Sequence, residues 1–74
     1  MEMRNKVIAY MRVYVDMMMQ GMNLIDLATA SGISYVSMRR KLRGESPWFL
    51  EECIAVKEAL HSDLPIETLF EKRE

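Results

Sequence analysis

The chain has 74 residues, half of them hydrophobic, with one cysteine, one histidine and a net charge of −1. This is one domain near the lower size limit for a stable core. Cys53 alone excludes an intrachain disulfide, and no Cys/His pair has the spacing of a zinc site, so apolar side chains must supply the stability. No apolar run is long enough to span a membrane and no secretory pattern opens the chain, so the sequence predicts a single cytoplasmic domain over residues 1–74.

The charge is unevenly distributed along the chain. Residues 1–33 carry three acidic and three basic side chains, residues 34–44 carry four basic and no acidic ones, and residues 45–74 carry eight acidic and three basic ones. Salt screens exposed charges beyond about 8 Å. The single basic segment can therefore bind a polyanion although the chain as a whole is slightly acidic.

Glycine and proline divide the chain into five predicted helices. The first covers residues 4–20, where apolar residues recur at spacings of three and four, and Gly21 ends it. Its predicted inward positions are Val7, Ile8, Met11, Val15, Met18 and Met19. The second covers residues 24–30, with Asn23 as its N-cap and Gly32 after its end. So short a helix requires tertiary contacts to be stable.

The third predicted helix covers residues 35–43, between the N-cap Ser34 and the terminating Gly44. Met38 and Leu42, four residues apart, mark its buried face. Its other side chains are mostly polar or basic. This helix therefore presents its charged side to solvent.

The fourth and fifth predicted helices cover residues 48–60 and 65–71, and Pro47 lies near the entry to the fourth. The predicted inward positions are Leu50, Cys53, Ile54, Val56 and Leu60 in the fourth helix and Ile66, Leu69 and Phe70 in the fifth. No segment shows the alternation of a strand. The predicted fold class is therefore all-α, a compact five-helix bundle.

The short connection between the second and third helices carries the functional prediction. Helices joined by so few residues, with Gly32 free to take a positive φ, cross steeply as a helix-turn-helix. An α-helix fits the major groove, where arginine bonds guanine edges, serine bonds bases or phosphates, and basic residues neutralise phosphates. Helix N-termini add backbone amides for phosphate oxygens. The predicted DNA-binding residues are Asn23, Ser34, Tyr35, Val36, Ser37, Arg39, Arg40, Lys41 and Arg43.

These residues also resemble a known family. The run Leu27-Ala28-x3-Gly32-Ile33-Ser34-x3-Met38-x3-Leu42-x-Gly44 resembles the helix-turn-helix of the phage lambda-repressor and Cro-like (Xre-type) regulators. The ending Pro65-Ile66-Glu67-x-Leu69-Phe70 is similar to the closing helix of small phage-encoded members, so the resemblance covers residues 5–71.

The resemblance implies a five-helix DNA-binding domain that acts as a transcriptional regulator or repressor. It implies base contacts from the start of the third helix and from one turn further on, at Ser34, Tyr35, Val36, and Arg39 or Arg40. Two positions depart from the family. Leu24 stands where a glutamine is common, and Lys41 stands where a branched apolar residue is common. Leu42 is then expected to supply the core contact, in a slightly rotated third helix.

Several features leave alternatives open. The basic run is also typical of a solvated helix face, in which case the chain is a protein-interaction module whose acidic C-terminal half binds a partner. Trp48 and Phe49 fit either core packing or the contact of a weak homodimer, whose two third helices would lie about 34 Å apart. Cys53 has no activating neighbour and is predicted to be a core residue. Nothing in the sequence indicates an enzyme, a metal or a small-molecule cofactor.

Overall fold

The computed structural model describes residues 8–72. That part of the chain contains five α-helices and no strand, which confirms the predicted all-α class. The helices are α1 (Met11–Met19), α2 (Leu24–Ser31), α3 (Tyr35–Arg43), α4 (Leu50–Leu60) and α5 (Ile66–Leu69). The second helix packs against α3 and α4, while α1 packs on α3 and α5 packs on α4. None of the described helices is long and apolar enough to cross a membrane.

One apolar core joins all five helices. Its buried members are Val13, Met17, Leu27, Ala28, Met38, Leu42, Val56, Leu60 and Leu69. Both residues predicted to mark the inner face of α3, Met38 and Leu42, are in this core. Cys53 is buried next to it, as predicted. The interior is therefore made of medium-sized aliphatic and methionine side chains, with the larger aromatic rings around its edge.

The ends of α2 and α3 follow from local side-chain chemistry. At the start of α2, Asn23 Oδ1 accepts a hydrogen bond from the Asp26 amide at 2.8 Å, and Asp26 Oδ2 accepts one from the Asn23 amide at 3.0 Å. This reciprocal capping box satisfies two of the amides that the first turn leaves unpaired. At α3, Ser34 Oγ accepts from the Ser37 amide at 3.2 Å. Both predicted N-caps are therefore confirmed.

The glycine after α2 has the left-handed conformation that the sequence predicted. Gly32 has φ 76°, and its amide bonds back to the Ala28 and Thr29 carbonyls. The space where a Cβ would stand is open. A side chain at this position therefore meets only backbone strain and no steric obstacle.

Gly32→Val should consequently lower the free energy of unfolding by about 2 kcal/mol, because a β-branched residue tolerates a positive φ poorly. For a domain of this size that is roughly a 10 °C fall in the melting temperature. Gly32→Asn is the matched control, since asparagine visits this conformation more readily, and it should fall by less. Equal melting temperatures for the valine variant and the parent protein would contradict the assigned conformation.

The first helix differs from its prediction in both extent and orientation. Among the described residues it begins at Met11, because the amides of Ala9 and Tyr10 donate instead to the Leu42 carbonyl at the end of α3, at 2.8 and 3.2 Å. The part predicted over residues 4–7, including Val7, lies outside the described residues.

The inward face predicted for this helix was also wrong. Val13 and Met17 are its buried residues, whereas Val15, Met18 and Met19 are 47%, 56% and 79% exposed. The other two predicted positions, Ile8 and Met11, are half-buried. The helix has two apolar faces. The sequence analysis predicted that the face with Val15 and Met19 is buried, whereas the core contains the face with Val13 and Met17.

The last two helices are shorter than predicted. The fourth begins at Leu50 rather than residue 48, and α5 is a single turn that ends at Leu69. Cys53, Val56 and Leu60 are buried as predicted, but Leu50 and Ile54 are exposed.

Trp48 is half-buried and packs against the core. Its ring makes edge contacts with Tyr10 and Phe70, at centroid distances of 6.0 and 4.8 Å. Its indole Nε1 is buried without a hydrogen-bond partner. Of the two alternatives for Trp48, the ring is thus engaged in packing within the chain, while Phe49 beside it is exposed, and the dimer contact in this region stays a prediction.

Candidate nucleic-acid interface

The site is built on the pair α2 and α3. Only residues 32–34 separate the two helices, and the Ile33 amide donates to the Ala28 carbonyl at 3.0 Å, which closes the end of α2. Leu27 and Ala28 of α2 are buried in the same core as Met38 of α3. This packing fixes α3 with one side inward and the opposite side in solvent.

Besides Met38 and Leu42, which face the core, the side chains of α3 fall into three rows. At 3.6 residues per turn, Val36, Arg40 and Arg43 share the row that points away from the core. Val36 and Arg40 are exposed and Arg43 is half-buried. The exposed residues Tyr35 and Arg39 form a row along one edge. The opposite edge contains Ser37, which is half-buried, and Lys41, which is buried.

That buried residue is Lys41, which was predicted to contact DNA. It is only 6% exposed. Its Nζ donates to the Pro47 carbonyl at 2.8 Å and lies 3.0 Å from Glu52 Oε1. The same carboxylate oxygen accepts a hydrogen bond from the Phe49 amide at 3.0 Å. Lys41 therefore ties α3 to the start of α4, and in this conformation its ammonium group is paired within the chain rather than free to contact DNA.

The ammonium group of Lys41 also lies near two aromatic rings. Its Nζ lies 6.0 Å from the ring centroid of Trp48 and 5.2 Å from that of Phe49. A cation at these distances is attracted by the ring electrons. The aliphatic stem of Lys41 thus packs where a branched apolar residue would, and its charge is satisfied at the rim of the core.

The positive charge available on α3 is smaller than the sequence indicated. Arg43 Nη1 lies 3.7 Å from Glu45 Oε2, and Lys41 is paired as described. Within residues 8–72, no ion pair involves Arg39 or Arg40. The outward charge of this helix is therefore carried mainly by these two arginines, both exposed.

Carboxylates border one edge of this surface. A groove of about 510 Å³ runs between the serine edge of α3 and the start of α4. Ser34 and Ser37 lie on one wall, and Phe49, Glu51 and Glu52 lie on the other. A phosphate that approached from this side would meet Glu51, which is exposed. This edge of α3 is therefore unfavourable for an anion, in contrast to the side that carries its arginines.

The N-terminus of α2 is a poorer phosphate site than predicted. Asn23 is exposed, but its side-chain oxygen is engaged in the capping box. The Asp26 carboxylate occupies the same end of the helix. Its negative charge takes the position that the helix dipole would otherwise offer to an anion. At the start of α3, by contrast, the Ser34 hydroxyl accepts one hydrogen bond, from the Ser37 amide. It retains its own proton, which it can donate.

Comparison with protein-family models, with curated proteins and with solved structures found no match.

The remaining candidates for chemistry are metal-ligating side chains and the single thiol. No group of three His, Cys, Asp or Glu side chains between residues 8 and 72 is placed to hold a metal ion. Burial raises the pKa of the Cys53 thiol, the Glu52 carboxylate raises it further, and Lys41 opposes them. The thiol therefore stays protonated at neutral pH, which disfavours a nucleophilic role.

The contact between Lys41 and Glu52 is the feature that the sequence analysis missed. The one available signal was the departure at Lys41, a lysine at a position where an apolar residue was expected. A buried lysine requires an anion or several carbonyls around it. The sequence did not say which of the eight acidic residues in the C-terminal segment would serve.

Proposed function

We propose that this protein binds duplex DNA sequence-specifically, as a small transcriptional regulator of the lambda-repressor and Cro-like type, with α3 in the major groove. One observation carries the proposal: a short capped helix, held by α2, presents an exposed row of Val36 and Arg40 with Arg39 beside it. Duplex DNA is the ligand that suits a helix with arginines on its outward side.

The roles proposed for individual residues follow from their rows. Arg40 lies in the outward row, and its proposed role is to bond a guanine edge; Val36, one turn earlier, is proposed to contact a thymine methyl. Arg39 lies on the edge with Tyr35, and its proposed role is to contact phosphate. Ser34 can donate its hydroxyl proton to a base or a phosphate at the entry of the helix.

Binding should weaken steeply as salt is added. Two phosphate contacts per chain would reduce the association constant about tenfold between ~50 and ~200 mM salt, because counterions are released on binding. The measurement is a fluorescence titration of labelled duplexes, first from a random pool and then from the sequences enriched by repeated selection. Enrichment of a shared sequence supports the proposal.

A protein-interaction module is the second candidate, and the Glu51 and Glu52 wall beside α3 favours it. Carboxylates at that edge suit a basic peptide rather than a polyanion. The same titration separates the two functions. Absence of duplex binding even at the lowest salt would reject DNA binding and leave the interaction module.

A further inference from the structure

The first helix is apolar on two opposite sides. Val13 and Met17 face the core, and the exposed Val15 and Met19 with the half-buried Met11 form a second stripe on the other side. These three residues are spaced four apart, so they line up along the helix. An apolar stripe along a helix normally faces a packed surface. Among the described residues, the side of α1 that lies in the core is the one with Val13 and Met17.

A groove of about 540 Å³ lies beside the outer stripe. Met11, Val15 and Met19 form one wall, and the connection between α4 and α5, residues 61–64, forms the other. Met19 is also the most exposed of the large apolar side chains between residues 8 and 72, and it projects from this wall. A surface that carries both a projecting methionine and a groove can complement a copy of itself, as a two-fold interface requires.

The charges beside the stripe are complementary to those of a second copy of the chain, which favours that copy as the partner at this surface. Arg12 and Asp16 are four residues apart, so they lie one turn apart on the same edge of the stripe. Both side chains also line the groove. Consider a two-fold axis that lies between two copies and runs perpendicular to α1 at Val15. The two α1 helices are then antiparallel, and the edge with Arg12 and Asp16 lies next to the same edge of the other copy. Arg12 of one copy then lies about 3 Å along the helix axis from Asp16 of the other, a difference of two residue rises.

We propose that the outer face of α1 is a two-fold interface between copies of this chain, with Arg12 of each copy paired to Asp16 of the other. Among the described residues, Asp16 has no ion-pair partner, and Arg12 makes only an exposed contact of 3.6 Å with Glu71. Both charges are thus available to a second copy. This interface differs from the contact predicted in the Trp48 and Phe49 region, and it does not depend on DNA binding.

The molecule's size limits the strength of such a dimer. Its extents are 29 × 23 × 23 Å, so one face covers about 670 Å² in projection. A standard interface buries ~800 Å² on each partner. The association is therefore weak and reversible, with a dissociation constant on the order of 100 µM.

Sedimentation of the DNA-free protein over ~5–500 µM tests the interface, because this range brackets the expected dissociation constant. The parent chain should shift from monomer to dimer, and Val15→Glu should raise the dissociation constant at least tenfold. Val36→Glu is the matched control, since Val36 is an exposed valine on α3, and it should leave the dimer unchanged. Circular dichroism verifies that each variant is folded.

A charge swap tests the pairing itself. Arg12→Glu and Asp16→Arg should each weaken the dimer, and the double variant should restore it, because the two charges meet again with reversed signs. Glu71→Gln removes the contact of Arg12 within the chain and should not change the dimer. A monomer throughout the range, a dimer indifferent to Val15→Glu, or a double variant no better than the singles would each overturn the proposal.

Discussion

Lys41→Met should lower the free energy of unfolding by about 3 kcal/mol, the lower end of the loss expected when one partner of a buried ion pair is removed. For a domain of this size that is roughly 15 °C in melting temperature. Methionine keeps most of the aliphatic stem, so the loss reports the charge rather than a cavity. The Glu52 side chain is 24% exposed and keeps its bond to the Phe49 amide, which moderates the effect.

A double-mutant cycle isolates the pair. Glu52→Gln retains an acceptor for the Phe49 amide and removes the charge next to Lys41. The variant with both changes should lose about 1–2 kcal/mol less than the sum of the single losses, because with both residues replaced no unpaired charge is left behind. Thermal and urea unfolding provide the two independent measurements. Strict additivity would contradict the ion pair and assign the loss to packing alone.

The parts of the fold that depend on neighbours in sequence were predictable. Asn23 and Ser34 cap their helices because a short polar side chain can reach an amide three residues on, and this requires no knowledge of the tertiary structure. The same is true of Gly32 and Gly44, whose positive φ values end α2 and α3. The boundaries of α3, the helix that carries the proposed function, were predicted to the residue.

The parts that depend on distant contacts were not predictable. The first helix has two apolar faces, and periodicity cannot say which one the core takes. Its start at Met11 depends on the Leu42 carbonyl, which is far away in sequence. Lys41 carries a charge that usually indicates solvent, and only the nearby Pro47 carbonyl and Glu52 carboxylate explain its burial. For the proposed site, the sequence therefore predicted the bounds of α3 but overcounted its available charges.

That smaller set of available charges sharpens the expected effects of two neighbouring arginines. Arg40→Ala should reduce affinity for the selected sequence by about 1–3 kcal/mol with little effect on unrelated sequences, because a base contact is lost. Arg39→Ala should weaken all sequences alike and reduce the slope of log affinity against log salt by about 1, because a phosphate contact is lost. Fluorescence titration on matched and mismatched duplexes at several salt concentrations measures both.

Arg40→Lys is the control that separates charge from geometry. Lysine keeps the positive charge but lacks the planar pair of donors that bonds guanine at two points. The salt dependence should therefore stay near that of the parent protein while the preference for the selected sequence falls. Arg39→Lys, at a phosphate contact, should retain both properties. If both alanine variants lose affinity equally on every sequence, and Arg40→Lys behaves as the parent protein, then neither arginine reads a base. The sequence preference would then have to come from Ser34, Tyr35 and Val36 at the start of α3.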